Sequence, residues 1–197
     1  MSRTTDVIVV GSGLAGLMAA LAAARQGREV RVVSEGMGCL AIGTGCVDLL
    51  GYAPDGASVD DPWAALSQLA PTHPYSVLGA EKIRAGLDAL IEVTAKHGLG
   101  LKPATRAGAP RNTRVPTIMG TLKPTYLVPD TFDPDDLDRA RRILVASVQG
   151  FRDCRPALVI DQLRRYPGWA DKDYFPCIIP TPFDDAHRAL NALDLAR

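Results

Sequence analysis

Three glycines near the start of the chain have the spacing of a phosphate-binding turn. Gly11 allows a sharp turn from strand to helix, Gly13 has no Cβ and lets a pyrophosphate approach the backbone, and Gly16 lets the helix pack closely on the strand. The N–H groups at the start of the helix, with the positive end of its dipole, then hold the phosphate. The predicted cofactor-binding turn therefore consists of Gly11, Ser12, Gly13, Leu14, Ala15 and Gly16.

The segments around these glycines are those that a dinucleotide-binding βαβ unit needs. Residues 6–10 form a short β-branched run, typical of a strand buried on both faces. Residues 14–26 are mostly Ala and Leu, which favour a helix, and Gly27 stands where a helix ends. Residues 29–33 predict a second strand. In this order of strand, turn, helix and strand, the glycine pattern indicates a dinucleotide-binding site.

The residue at the end of the second strand departs from the usual pattern. Many dinucleotide-binding proteins place a carboxylate there to hold the adenosine ribose. Alignment by the glycines puts Ser34 in that position, with Glu35 one residue later. Either Glu35 reaches back to the ribose, or the contact with the adenosine is weak. FMN has no adenosine ribose and needs no such carboxylate, so this departure favours FMN over FAD or NAD.

The following stretch, residues 36–51, is rich in glycine and predicts a loop that faces the flavin. Gly43, Thr44 and Gly45 are its candidate cofactor contacts. Cys39 and Cys46 lack the Cys-x-x-Cys spacing of redox or metal sites, so we expect free thiols and no metal.

The charge balance excludes some classes of protein. Basic and acidic residues number 22 each, which argues against a nucleic-acid binder. The uncharged run from Val7 to Ala24 is interrupted by glycines at the positions of the phosphate-binding turn, so we interpret it as that unit and not as a membrane span.

The remainder of the chain predicts a second, smaller α/β region. Helices are expected over residues 60–69, 80–97, 133–142 and 156–165, with a last helix from Ala186. Residues 101–129 predict a small antiparallel sheet or an irregular cap, and strands are expected over 143–147, buried, and 174–179. The domains are thus 1–60, the βαβ unit with its flavin-facing loop, and 61–197, a cap or substrate-side region.

Candidate groups for chemistry in this second region are few. Arg106, Arg111, Arg114 and Lys123 lie close in sequence, and a substrate phosphate needs such cations. The three histidines are His73, which precedes Pro74 in a predicted loop, His97 and His187. They form no catalytic constellation, and the catalytic base is left unassigned.

Several segments resemble the B subunit of the anaerobic glycerol-3-phosphate dehydrogenase. They are VIVVGSGLAGLMAAL, GTGCVDLLGYAPDG, APTHPYSVLGAEKI, PTIMGTLKPTYLVP and RRILVASVQGFRD. The resemblance covers nearly the whole chain. Its more specific parts are His73-Pro74-Tyr75-Ser76 with Leu78-Gly79, and Gly120-Thr121-Leu122.

The resemblance implies a Rossmann-like FAD/NAD(P)-binding fold and a flavin-dependent protein that carries FMN, with FAD as the alternative. The enzyme oxidises sn-glycerol 3-phosphate to dihydroxyacetone phosphate and passes electrons to quinone. The implied partners are the A subunit, which is a flavoprotein, and the C subunit, which holds iron–sulfur clusters and anchors the assembly to the membrane. The location that the resemblance implies is cytoplasmic, either free or peripheral on the cytoplasmic face of the inner membrane through those partners. Lys123, within GTLKPTY, is the first candidate for the substrate phosphate, and Arg111 is the second.

Family members are about twice as long, and their C-terminal half closes the flavin site, so an incomplete flavoprotein fold is expected here. Two other hypotheses stay open. One is an NAD(P)-dependent dehydrogenase in which Glu35 holds the ribose. The other is a non-catalytic assembly module or truncated fragment, which predicts an exposed apolar face.

Overall fold

The computed structural model describes residues 4–36, 38–106, 108–181 and 189–190. The helix predicted from Ala186, and His187, lie outside these residues. The chain divides into two compact units, Met1–Gly45 and Cys46–Arg197. The division falls earlier than residue 60, the predicted boundary, because Val47 pairs with Leu127, and its N–H donates to the Leu127 carbonyl at 2.9 Å. The second unit is the larger of the two.

The first unit consists of two strands and one helix in the predicted order. They are β1 (Val7–Val10), α1 (Leu14–Arg25) and β2 (Val30–Val33). The strands are parallel and in register from Val7 opposite Val30 to Val10 opposite Val33. The helix ends before Gly27, whose φ of 76° is the left-handed conformation that glycine adopts readily.

The prediction that β1 is buried on both faces is wrong. Val7 and Val9 are half-buried, whereas Ile8 is 63% exposed and Val10 is 85% exposed. Val33, opposite Val10 on β2, is 50% exposed. The physical reason is that alternate residues of a strand point to opposite faces, and within the described residues no element of this unit covers the second face. The hypothesis of an assembly module or fragment predicts such an exposed apolar face.

The second unit has five helices within the described residues. They are α2 (Pro62–Ala65), α3 (Pro74–Leu78), α4 (Ala80–Lys96), α5 (Pro134–Arg139) and α6 (Pro156–Leu163). Asp61 caps α2 and Asp133 caps α5, each carboxylate accepting two backbone N–H groups. The loop predicted at His73 and Pro74 is wrong, because α3 begins there with Pro74 in its first turn.

The strands of this unit form pairs. The sequence between residues 101 and 129 makes the antiparallel pairs, as predicted, and the last two strands are parallel, with α6 between them. The antiparallel strands are β3 (Leu101–Pro103), β4 (Thr105–Arg106), β5 (Ala109–Pro110), β6 (Thr113–Pro116), β7 (Leu122–Thr125) and β8 (Leu127–Pro129). The parallel strands are β9 (Arg142–Val148) and β10 (Asp173–Ile179).

Two groups of buried residues hold the second unit together. The larger joins β7 to α6 and β10 and contains Leu122, Val159, Ile160, Leu163, Trp169 and Tyr174. The smaller contains Ala104, Val115 and Val128. The strand predicted as buried, β9, packs on the larger group through Ile143 and Val145, but Leu144 on its other face is 65% exposed. The prediction of a fully buried strand is therefore wrong for that face.

None of the helices within the described ranges is both long enough and apolar enough to cross a membrane.

Candidate functional site

The glycine turn connects β1 to α1 in a conformation that depends on glycine at two positions. Gly11 has a φ of 106°, and its N–H donates to the Val33 carbonyl at 2.8 Å, which ties the turn to β2. A Cβ on Gly16 would overlap the Gly11 carbonyl oxygen and would stand 3.4 Å from Val9 Cγ1. The first turn of α1 can therefore lie against the end of β1 only if residue 16 is glycine.

The start of α1 is open to an anion. Gly13 is its N-cap, no side chain caps it, and its first turn holds no acidic residue. A Cβ placed on Gly13 would have no other described atom within 4 Å. The first N–H groups of a helix lack partners within the helix, and here no side chain caps them, so the helix dipole favours an anion at this end. Leu14, Ala15 and Gly16 contribute these groups, and the arrangement fits a cofactor phosphate.

Ser12 and Ser34 are brought together across this turn. Their hydroxyl oxygens are 2.7 Å apart, and Ser12 Oγ donates to the Gly36 carbonyl at 2.7 Å. Ser34 Oγ also lies close to that carbonyl and accepts the Gly36 N–H at 3.3 Å. Glu35, by contrast, is exposed and forms no hydrogen bond or ion pair with another described residue. Ser34 is thus engaged within the protein, whereas the Glu35 carboxylate is available.

The glycine-rich stretch packs on the turn through a residue that sequence reasoning did not single out. Gly38 has a φ of 65°, and a Cβ on it would lie 2.9 Å from the Gly13 nitrogen. The only signal in the sequence is the glycine content of residues 36–51. The candidates Gly43, Thr44 and Gly45 are exposed and follow a 3₁₀ turn over Cys39–Ile42.

The two cations predicted for the substrate phosphate are each engaged by carboxylates in the second unit. Arg111 Nη1 lies 2.6 Å from Asp61 Oδ2, and its Nε lies 3.7 Å from Asp60 Oδ2. Lys123 Nζ donates to both oxygens of Asp48, at 2.9 and 2.8 Å. Their charges are therefore largely neutralised in the folded chain.

A cavity of about 520 Å³ lies elsewhere in the second unit. Arg106 and Arg114 are among its lining residues, together with Asp60, Asp138 and the buried Asn112. Neither Arg111 nor Lys123 lines it. Of the four cations that the sequence groups together, the structure therefore brings two to one cavity.

The described histidines have structural surroundings. His73 caps α3, its Nδ1 accepting the Tyr75 N–H at 3.1 Å, and His97 follows the last residue of α4. None of the four cysteines forms a disulfide, and the described part of the chain contains no cluster of acidic, histidine and cysteine side chains that could hold a metal ion. No catalytic base is evident among these groups.

The family to which the sequence is similar agrees with the geometry of the glycine turn. The FAD binding domain family matches residues 6–172. The chain belongs to this family. Membership indicates a flavin cofactor, and the match begins at the strand that leads into the glycine turn.

Relatives of the chain include the B subunit of the anaerobic glycerol-3-phosphate dehydrogenase, which confirms the resemblance found in the sequence. The protein of that name from Actinobacillus succinogenes is 33% identical over 90% of this chain and 42% of its own length. The one from Vibrio cholerae is 32% identical over 98% of this chain and 45% of its own. The chain thus spans less than half the length of these relatives. No solved structure matches it.

Proposed function

We propose that this chain is part of a flavin-dependent subunit of a respiratory dehydrogenase that oxidises sn-glycerol 3-phosphate to dihydroxyacetone phosphate and passes the electrons to quinone. The observation that carries the proposal is the uncapped start of α1, with open space at Gly13. Membership of the FAD binding domain family supports the flavin, and the names of the relatives support the substrate.

The chemistry divides between cofactor and protein. When bound, the flavin supplies the acceptor for the two electrons that leave the alcohol carbon. The residues of the chain bind and orient it. The N–H groups of Leu14, Ala15 and Gly16 hold the phosphate, and Gly13 leaves room for its approach. Ser12 stays bonded to Ser34 and Gly36, which keeps the turn in its binding shape.

FMN is the cofactor that we propose. Its support is Ser34, a neutral side chain already engaged by Ser12 and Gly36 at the position where adenosine-containing cofactors usually meet a carboxylate. FAD is the second candidate. Two observations favour it: the family that matches is an FAD-binding one, and the exposed Glu35 has no partner among the described residues.

The partners follow from the relatives, each of which is named as one subunit of its enzyme. We propose that the chain works with two other proteins, the flavoprotein that forms the A subunit and the iron–sulfur protein that forms the C subunit. The iron–sulfur protein would anchor the assembly. Such an arrangement would keep the chain on the cytoplasmic face of the inner membrane through its partners.

The test is to purify the chain, record its visible absorption, then denature it and identify the flavin released. Released FMN supports the main proposal, and released FAD supports the second candidate. A colourless chain that takes up neither flavin, and that adds nothing to turnover when mixed with its partners, would overturn the proposal in favour of a non-catalytic assembly role. Calorimetry with NAD and NADP tests the nicotinamide hypothesis in the same preparation.

A further inference from the structure

The cavity in the second unit has the size of a small-molecule site and walls of mixed charge. Its volume of about 520 Å³ is within the range of about 300–1,000 Å³ that is common for such sites. Two arginines, Arg106 and Arg114, and two aspartates, Asp60 and Asp138, line it. It is built from residues far apart in sequence, including Trp169 of the larger buried group.

Arg114 is the cation that is free to meet an anion. It projects from β6 and is exposed, and it makes no ion pair with another residue of the described chain. Arg106 has one weak restraint, a 3.2 Å contact with Asp60 in which the side chains are 71% and 58% exposed. Exposed ion pairs of this kind contribute little, so Arg106 can turn towards a bound anion. Two guanidinium groups at one cavity suit a phosphate, which they bind with forked hydrogen bonds.

The wall that carries these groups is fixed by Asn112, whose exposed fraction is only 6%. Its Nδ2 donates to the carbonyls of Leu50 and Val59, at 2.9 and 2.8 Å, and its backbone N–H donates to the Asp60 carbonyl at 2.9 Å. These bonds hold the segment before Asp60 against the start of β6. The backbone that carries Arg114 and Asp60 is therefore held in place before any ligand arrives.

The aspartates indicate which groups the ligand has besides its phosphate. Asp138 is exposed and its carboxylate forms no bond to another described residue, while Asp60 contacts Arg106 and Arg111. A wall of arginines alone would suit any polyanion. Carboxylates beside them accept hydrogen bonds and repel a second anionic group, so they suit the hydroxyl groups of a ligand with one anionic end.

We propose that this cavity binds a small phosphomonoester of a polyol, with its phosphate on Arg114 and Arg106 and its hydroxyl groups on Asp138 and Asp60. The inference rests on the proposed function, because glycerol 3-phosphate is such a compound. The substrate phosphate is thereby assigned to Arg114 and Arg106. Lys123 and Arg111, the candidates from the same sequence cluster, already form ion pairs with carboxylates.

The experiment is calorimetric titration of the chain with glycerol 3-phosphate, inorganic phosphate and glycerol. We expect glycerol 3-phosphate to bind more tightly than phosphate, and glycerol not to bind. Arg114→Gln should weaken glycerol 3-phosphate binding at least tenfold, and Arg114→Lys should restore part of it. Arg28→Gln, which removes an exposed arginine of the other unit, should leave it unchanged. Thermal unfolding of each variant checks that it folds.

Asp138→Asn tests the assignment of the hydroxyl groups separately from that of the phosphate. It should bring the affinities for glycerol 3-phosphate and phosphate closer together, because it weakens the acceptor for hydroxyl groups and removes a negative charge. Equal binding by wild type and Arg114→Gln would overturn the proposal. So would equal affinities of the wild type for phosphate and glycerol 3-phosphate, which would leave only a general anion site.

The two proposals can fail separately. Titration in the absence of flavin reports on the cavity alone, and the flavin released on denaturation reports on the glycine turn alone. A chain that binds flavin but not glycerol 3-phosphate refutes the cavity assignment, whereas a chain that binds glycerol 3-phosphate, takes up no flavin and adds nothing to turnover with its partners refutes the flavin-dependent function.

Discussion

The hydroxyl oxygens of Ser12 and Ser34 lie 2.7 Å apart, so a side chain of the glycine turn is joined to the residue after β2. A carboxylate at position 34 would instead be placed to hold an adenosine ribose. We expect Ser34→Asp to raise the affinity for FAD relative to FMN several-fold, as measured by flavin fluorescence titration.

Ser34→Ala is the matched control for that change. It removes the hydroxyl without adding a carboxylate, and should lower the free energy of unfolding by about 1 kcal/mol, the usual size of one lost hydrogen bond. The ratio of the two flavin affinities should stay that of the wild type. If Ser34→Asp also leaves the ratio unchanged, residue 34 does not contact the cofactor.

Gly13 and Gly16 are expected to respond differently to the same added methyl group. A Cβ on Gly16 would overlap the Gly11 carbonyl oxygen, so Gly16→Ala forces the helix and turn apart. Overpacking of this kind costs about 1–3 kcal/mol, which urea unfolding can measure. Gly13→Ala meets no described atom within 4 Å and has a φ of −72°, so its stability should be close to that of the wild type.

Gly13→Ala should weaken flavin binding although it leaves the stability almost unchanged. Its new methyl group would occupy the space proposed for the phosphate, so affinity should fall at least tenfold although the variant is stable. A Gly13→Ala variant that is stable and still binds flavin as tightly as the wild type would contradict the assignment of the turn.

Asn112 is expected to be among the most sensitive positions of the second unit. Asn112→Ala leaves the carbonyls of Leu50 and Val59 without its two hydrogen bonds, at a cost of about 1–3 kcal/mol for the buried bond to Val59 and less for the partly buried bond to Leu50. Asn112→Asp should be worse at pH 8, because it buries a charge and provides no donor. Its deficit should shrink at pH 5, since protonation removes the charge and restores one donor.

Urea unfolding of both variants at the two pH values tests this. Thr113→Ala, at the next and half-buried position, is the control and should change little. Asn112→Asp as stable as the wild type at pH 8 would mean that the two bonds to the 50–59 segment do not hold the wall.

Burial raises the pKa of Tyr174, and the nearby Arg164 guanidinium opposes part of that rise. The folded chain therefore favours the neutral phenol, whose hydroxyl donates to the Trp169 carbonyl at 2.9 Å. The resulting stability is fully present below the unfolded pKa of about 10 and is lost as the pH rises through the higher folded value. Between pH 8 and 11 the wild type should lose more free energy of unfolding than Tyr174→Phe.

At pH 8 Tyr174→Phe should be less stable than the wild type by about 1 kcal/mol, because it lacks the bond to Trp169. Tyr52→Phe, at a side chain that is 53% exposed, should follow the wild type at both pH values. If Tyr174→Phe and the wild type lose stability in parallel, Tyr174 does not ionise on unfolding in this range.

Local patterns were sufficient to predict several elements. The β-branched run before Gly11 and the Ala-rich run after it predicted β1 and α1, and the apolar spacing over residues 80–97 predicted α4. Helix α3 was missed because it has only five residues, too few for a periodic pattern, and its cap is a histidine. Its signals were the proline in its first turn and Gly79 at its end.

By itself the sequence determined the glycine turn, because the conformations and close contacts at Gly11 and Gly16 need glycine and the neighbouring segments favour strand and helix locally. Only the tertiary structure decided which cations are free. Asp48 and Lys123 are 75 residues apart in sequence and bonded in space, whereas Arg114, in the same cluster as Lys123, reaches a cavity. The partner of a charged side chain depends on how distant segments pack, and no local pattern in the sequence records it.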